Sequence, residues 1–195
     1  MVVLGWLAVA SAADPATRPP APAPVASPAP AAPAIASGRY GGLTVGFDPA
    51  TRELTGWYLG AGCAFAVRGT VTAGTGPIAA AAPGSPPIKG TVTVGADGKL
   101  GLHLVAEPAG CTATKFADAA PATFAAEGKA AWVAVRVIGS PKVPLRDQPN
   151  GTARTTAVFQ GDVVGIRALR DGWALVESLG GASGWVANTD LGSLP

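Results

Sequence analysis

The sequence predicts an all-β protein, an antiparallel meander or small barrel followed by a second small β-barrel. Three observations predict it. Apolar and polar residues alternate with a period of two in segment after segment, which is the pattern of a half-buried strand. The 195 residues include 27 glycines and 19 prolines, so turns are frequent and long helices are disfavoured. The alternating runs are also separated by turn dipeptides, of which Asp97-Gly98 is the strongest hairpin signal. Charged residues make up only 13 % and the net charge is +2, with no basic cluster, so nucleic acid is not an expected partner.

Residues 1–12, "MVVLGWLAVASA", contain an apolar stretch ending in the small-residue pattern Ala10-Ser11-Ala12. This reads as an export signal whose positively charged n-region is missing; a plain apolar tail is the alternative. The stretch is shorter than the roughly 20 residues that a bilayer requires, so no stable membrane span is expected after signal removal. No cysteine stands near the cleavage site to carry a lipid. Residues 13–37 are nearly all alanine and proline. Proline removes a backbone donor and fixes φ, so this segment is expected to be a disordered, polyproline-like linker.

From residue 38 to 128 the sequence predicts a small β domain. "LTVGF" (43–47) alternates, "DPATRE" (48–53) turns, and "LTGWYL" (54–59) returns. "CAFAVRGTV" (63–71) puts Cys63, Phe65 and Val67 on one face. "IKGTVTV" (88–94) and "LGLHLV" (100–105) flank the Asp97-Gly98 turn, and a weaker run, "ATFAAE" (122–127), closes a set of five or six strands. Leu100, Leu102 and Leu104 share one side, which sends His103 to the other. Trp57 and Tyr58 are neighbours on a strand, so one is expected in the core and the other at the surface. The two cysteines, Cys63 and Cys111, allow one intramolecular bridge. Export to an oxidising compartment would favour that disulfide, and two buried free thiols are the alternative. No family is recognised for this half.

The second unit spans residues 131–195. "AWVAVRVI" (131–138) is an apolar-rich strand containing Arg136. "VPLRDQPN" (143–150), "VFQGDVVGI" (158–166), "DGWALVE" (171–177) and "SGWVANTDL" (183–191) follow in that order. Together they resemble the bacterial SH3-type domain: its opening strand and turn, its Gly-Asp turn between strands, and its two Gly-Trp strands with a closing helical turn. The resemblance implies a barrel of five or six strands with no catalytic residues of its own. It also implies an extracytoplasmic setting, periplasmic or extracellular, and in some members the binding of peptidoglycan peptides.

Catalytic readings find little support. His103 is the single histidine, and one histidine with two cysteines cannot complete a tetrahedral zinc site without carboxylates, so no metal is expected. A Cys63–His103 nucleophilic pair would need Cys63 at a helix N-terminus, whereas "GAGCAFAV" reads as the start of a strand. No G-x-S-x-G elbow and no phosphate-binding glycine loop occurs, and no cofactor is expected. The functional reading is therefore a non-enzymatic exported module that binds a cell-wall peptide or other cell-wall component, or an envelope protein. An inhibitor or structural partner of an envelope enzyme, acting through residues 38–128, is the alternative; a cell-wall hydrolase is the third. The candidate ligand residues are Trp173 and Trp185. Alternation places Trp173, Leu175 and Glu177 opposite Ala174, Val176 and Ser178, and it sets Trp185 opposite Val186. Both indoles are thus expected on outer surfaces, either as a shelf for an extended peptide or as packing against another part of the chain.

Overall fold

The computed structural model describes residues 34–192 and residue 194. The expected export signal (1–12) and residues 13–33 of the expected linker lie outside the described residues. Among the described residues the fold is all-β, two antiparallel sheets with one short 3-10 turn, and both sheets belong to one compact unit.

The first sheet has nine strands: β1 (Gly38–Tyr40), β2 (Leu43–Asp48), β3 (Glu53–Gly60), β4 (Cys63–Thr70), β5 (Thr75–Ala81), β6 (Ile88–Val94), β7 (Leu100–Leu104), β8 (Ala122–Phe124) and β9 (Gly128–Lys129). Their spatial order is β8-β7-β6-β5-β4-β3-β2-β1-β9, a meander that β9 extends at the β1 edge. Local chemistry makes the turns. Asp48 accepts the Ala50 N–H at 2.9 Å to close the β2–β3 hairpin, and Gly98 takes a left-handed φ of +76° between β6 and β7.

This sheet curls. Laid flat, nine strands would hold their outer members about 38 Å apart at the usual strand spacing. Only residues 125–127 separate β8 at one end from β9 at the other, and a chain of that length spans at most about 14 Å. Phe124 of β8 accordingly lies beside Gly41, in the turn between β1 and β2 at the opposite end: a Cβ placed on Gly41 would be 3.8 Å from the Phe124 ring. The resulting half-barrel is filled by an aromatic cluster. The Tyr58 ring stacks on Phe65 at 5.0 Å and meets Phe116 edge-on at 5.1 Å, and Phe65 meets Phe116 at 5.1 Å. Leu100, Leu102 and Leu104 are fully buried beneath it. The loop after β7 lids the cluster and is itself tied down. The Glu107 carboxylate accepts the N–H groups of Phe116 and Ala117, Thr114 hydrogen-bonds the Tyr58 hydroxyl at 2.9 Å, and a disulfide joins Cys111 to Cys63.

The second sheet has seven strands: β10 (Ala134–Ile138), β11 (Lys142–Arg146), β12 (Ala153–Phe159), β13 (Val163–Arg170), β14 (Trp173–Ser178), β15 (Ser183–Ala187) and β16 (Leu191–Gly192), with the 3-10 turn Asn188–Asp190 before β16. Their order is β12-β11-β15-β14-β13-β10-β16. Its core is aliphatic, built from residues such as Ile138, Leu145, Val164, Ile166, Val176 and Val186.

The two sheets meet where β10 crosses β2 and β3. The Val135 N–H donates to Thr55 Oγ1 at 2.8 Å in a buried setting. Gly46 admits the β10 backbone, since a Cβ there would sit 2.3 Å from the Ala134 carbonyl carbon. Ser37 spans the same seam, donating to the Trp132 carbonyl and accepting the Phe47 N–H.

Four features differ from the sequence expectation. β5 lies in "TGPIAAA", where alanines, a glycine and a proline hide the alternation, although Ile78 and Ala80 point inward. β1 and β9 are too short and glycine-rich to register as strands. The strand expected over 131–138 begins only at Ala134, because Trp132 turns its indole onto Gly165, where a Cβ would lie 2.2 Å from the ring. Residues 35 and 37 of the expected linker are packed: Ile35 joins the first core and Ser37 is buried at the seam.

Candidate functional site

The outer face of the second sheet carries the candidate site. Trp173 lies on β14 and Trp185 on β15, and register decides what surrounds them. Leu175 pairs with Trp185, and Trp173 pairs with Ala187. Directly paired residues share a face, and the diagonal separation of Trp173 and Trp185 is about 7–8 Å. Ala174, Val176 and Val186 point the other way and are buried. Trp173, Leu175 and Trp185 are partly exposed. The small barrel accepts short aliphatics inside and leaves its large indoles outside.

Arg146 completes this face. It pairs with Trp185 from β11, and its guanidinium reaches across to 5.6 Å from the Trp173 ring. A second bond holds it there, from Arg146 Nη1 to the Gly151 carbonyl at 2.6 Å. Arg170 stands opposite Trp173 on β13, and Arg154 bonds the Ser183 carbonyl at 3.2 Å on the far side. The result is a shelf of two flat amphipathic rings with a cation seated over one of them and further cations at its rim. Such a surface offers rigid apolar area, N–H donors and positive charge.

Residues 139–192 match the bacterial SH3 domain family. The matched span holds β11 to β16, and so all of the shelf. β10 lies outside the match, yet it is hydrogen-bonded into the SH3 sheet between β13 and β16. No curated protein and no solved structure matches the chain. The half-barrel before the SH3 domain therefore rests on its own geometry.

The other residues singled out in the sequence fall elsewhere. Tyr58 is in the first core, while its neighbour Trp57 is partly exposed and lines a cleft of about 390 Å³ with Pro83, Val137 and Gln160. His103 is partly exposed on the face opposite its three leucines and pairs with Thr91. Cys63 is bonded to Cys111 and so presents no thiol. Among the described residues no group of three or more His, Cys, Asp or Glu side chains could hold a metal ion, and no helix is long and apolar enough to cross a membrane.

Sequence reasoning missed Arg146. It sits in the quoted run "VPLRDQPN", but its place over Trp173 depends on a pairing between residues 39 positions apart, Arg146 and Trp185. The alternation of that run was the available signal: Val143 and Leu145 are buried, which sends Arg146 to the outer face.

Proposed function

We propose that this protein is a non-enzymatic, exported bacterial binding module whose SH3 domain holds an extended cell-wall peptide against Trp173 and Trp185. The observation that carries this reading is the seating of Arg146 over the Trp173 ring, on a face whose large apolar groups are partly exposed. An extended peptide would lay side chains and backbone along the indoles, while its carboxylates would meet Arg146 and Arg170. The disulfide supports export, since such bonds persist in oxidising compartments.

The test is co-sedimentation with purified cell wall, followed by titration with soluble wall peptides. Wild-type protein sediments and Trp173→Ala loses about 2 kcal/mol of binding, the scale of an interface hot spot. Equal sedimentation of the two proteins overturns the assignment of Trp173. No sedimentation of the wild type overturns the cell-wall partner.

A further inference from the structure

A second cleft, of about 410 Å³, is lined by residues of both sheets and by none of the tryptophan shelf. Its lining is unusual in composition. Arg68 comes from β4 of the half-barrel and Arg136 from β10, while Asn188 comes from the 3-10 turn; Ile166, Leu169 and Leu191 supply an apolar floor. Neither sheet alone contains this set.

The charges in the cleft do not balance. Arg68 Nε donates to Glu53 at 2.8 Å. Among the described residues its terminal nitrogens have no further protein acceptor, and Arg136 reaches only the Val135 carbonyl, at 3.0 Å. Two guanidinium groups thus face one carboxylate. The Arg136 pKa is held below its usual value by burial; the Glu53 carboxylate opposes that shift, and the positive charge of Arg68 adds a smaller push downward. Arg136 is half-buried and short of protein partners, while Arg68 is exposed beside it, and an incoming anion would offset the part of the desolvation cost that Arg136 carries. Leu169 adds an exposed apolar surface beside the arginines, being 63 % accessible on β13.

We propose that this cleft is a binding site for an aliphatic carboxylate, with Arg68 and Arg136 holding the carboxylate and Ile166, Leu169 and Leu191 covering the hydrocarbon. The planar guanidinium fork suits a carboxylate, which it can grip through two parallel bonds. The floor of branched aliphatics discriminates against a bare inorganic anion. Asn188 stands at the same rim, where its side-chain amide adds a neutral hydrogen-bonding group. Because the site draws residues from both sheets, its ligand would also clamp β10 against the half-barrel. The site shares no residue with the Trp173 shelf and stands independently of the function proposed for that shelf.

The experiment is a two-dimensional amide NMR titration of the full chain with three probes: hexanoate, hexanol and inorganic phosphate. Hexanoate should give saturable shifts centred on Arg68, Arg136, Asn188 and Leu191, whereas hexanol and phosphate should bind there at least about tenfold more weakly, the cost of losing a charge-assisted pair or the apolar contact. Arg68→Gln and Arg136→Gln should each weaken hexanoate by about the same factor. Leu169→Ser, at an exposed position that the fold does not depend on, should weaken it while leaving phosphate unaffected. Absence of saturable hexanoate shifts overturns the proposal. Hexanol binding as well as hexanoate would reduce the cleft to an apolar patch, and phosphate binding as well would reduce it to an anion patch; either result also overturns it. The three-probe comparison on the wild type decides the matter even if an arginine variant folds poorly. Cell-wall sedimentation by the Trp173 shelf is unaffected by any of these outcomes.

Discussion

The two halves of the molecule use the same strand periodicity and put their main aromatic groups, the Tyr58 cluster and the Trp173–Trp185 pair, on opposite sides. In the half-barrel, Tyr58, Phe65, Phe116 and Phe124 turn inward and pack ring to ring at 5.0–6.3 Å. In the SH3 sheet the core is wholly aliphatic, while Trp173 and Trp185 lie outside. The difference follows from size. A nine-stranded curled sheet encloses room for a cluster of rings and a lid loop. The smaller SH3 barrel fills its interior with valine, isoleucine, leucine and alanine, and Trp173 and Trp185 stand on its outer face, while the Trp132 indole is buried against Gly165 at the seam. If that contrast holds, the ring cluster is a larger source of stability than the tryptophan shelf, and the shelf is the better placed to meet a partner.

The strongest way to break this contrast is to remove a ring from the half-barrel. Phe65 is fully buried between Tyr58 and Phe116. Phe65→Ala should cost close to 5 kcal/mol, the upper end for truncating a core aromatic, read as a loss in chemical denaturation of the whole chain. A cost below about 1 kcal/mol would mean that the ring cluster is not the stabilising centre.

Removing the bridge should have the next largest effect. The disulfide closes a loop of 48 residues, and the chain-entropy treatment gives about 4 kcal/mol for a loop of that length. Cys63→Ser with Cys111→Ser should lower the unfolding free energy by that order, and the intact mass of non-reduced exported protein should fall two hydrogens below the reduced mass. Two alkylatable thiols in native exported protein would contradict the pairing.

The seam between the halves carries a smaller effect. Thr55→Val keeps shape but leaves the buried Val135 N–H without its acceptor. The expected loss is about 2 kcal/mol. It should be accompanied by faster hydrogen exchange at Val135, and unchanged exchange there would show that the Thr55–Val135 bond does not hold the two sheets together.

These expectations also mark what could be read from the sequence. β2, β3, β4, β6 and β7 were visible because each sends its larger apolar residues at alternate positions into the core. The SH3 strands were visible for the same reason, and their order carried the family resemblance. β5 was not visible, because alanine and glycine are small enough to lie on either face without altering the pattern. The seam was hidden for a different reason. Thr55 with Val135, Ser37 with Trp132, and Arg68 beside Arg136 are all meetings of residues far apart in the chain, and no local pattern encodes such pairs. At the site, alternation was enough to place Trp173 and Trp185 on the outer face, but register was needed to bring Arg146 over Trp173.

The most direct test of the division between a stabilising half and a binding half is a paired measurement on Trp173→Ala. Denaturation and wall-peptide titration are run on the same preparation. An exposed shelf predicts a change in unfolding free energy of less than about 1 kcal/mol, together with a loss of binding of about 2 kcal/mol. A stability loss of about 3–5 kcal/mol, the cost of truncating a packed tryptophan, with binding intact would contradict it. Trp173 would then belong with the inward aromatics of the first half, and the contrast between the two halves would not hold.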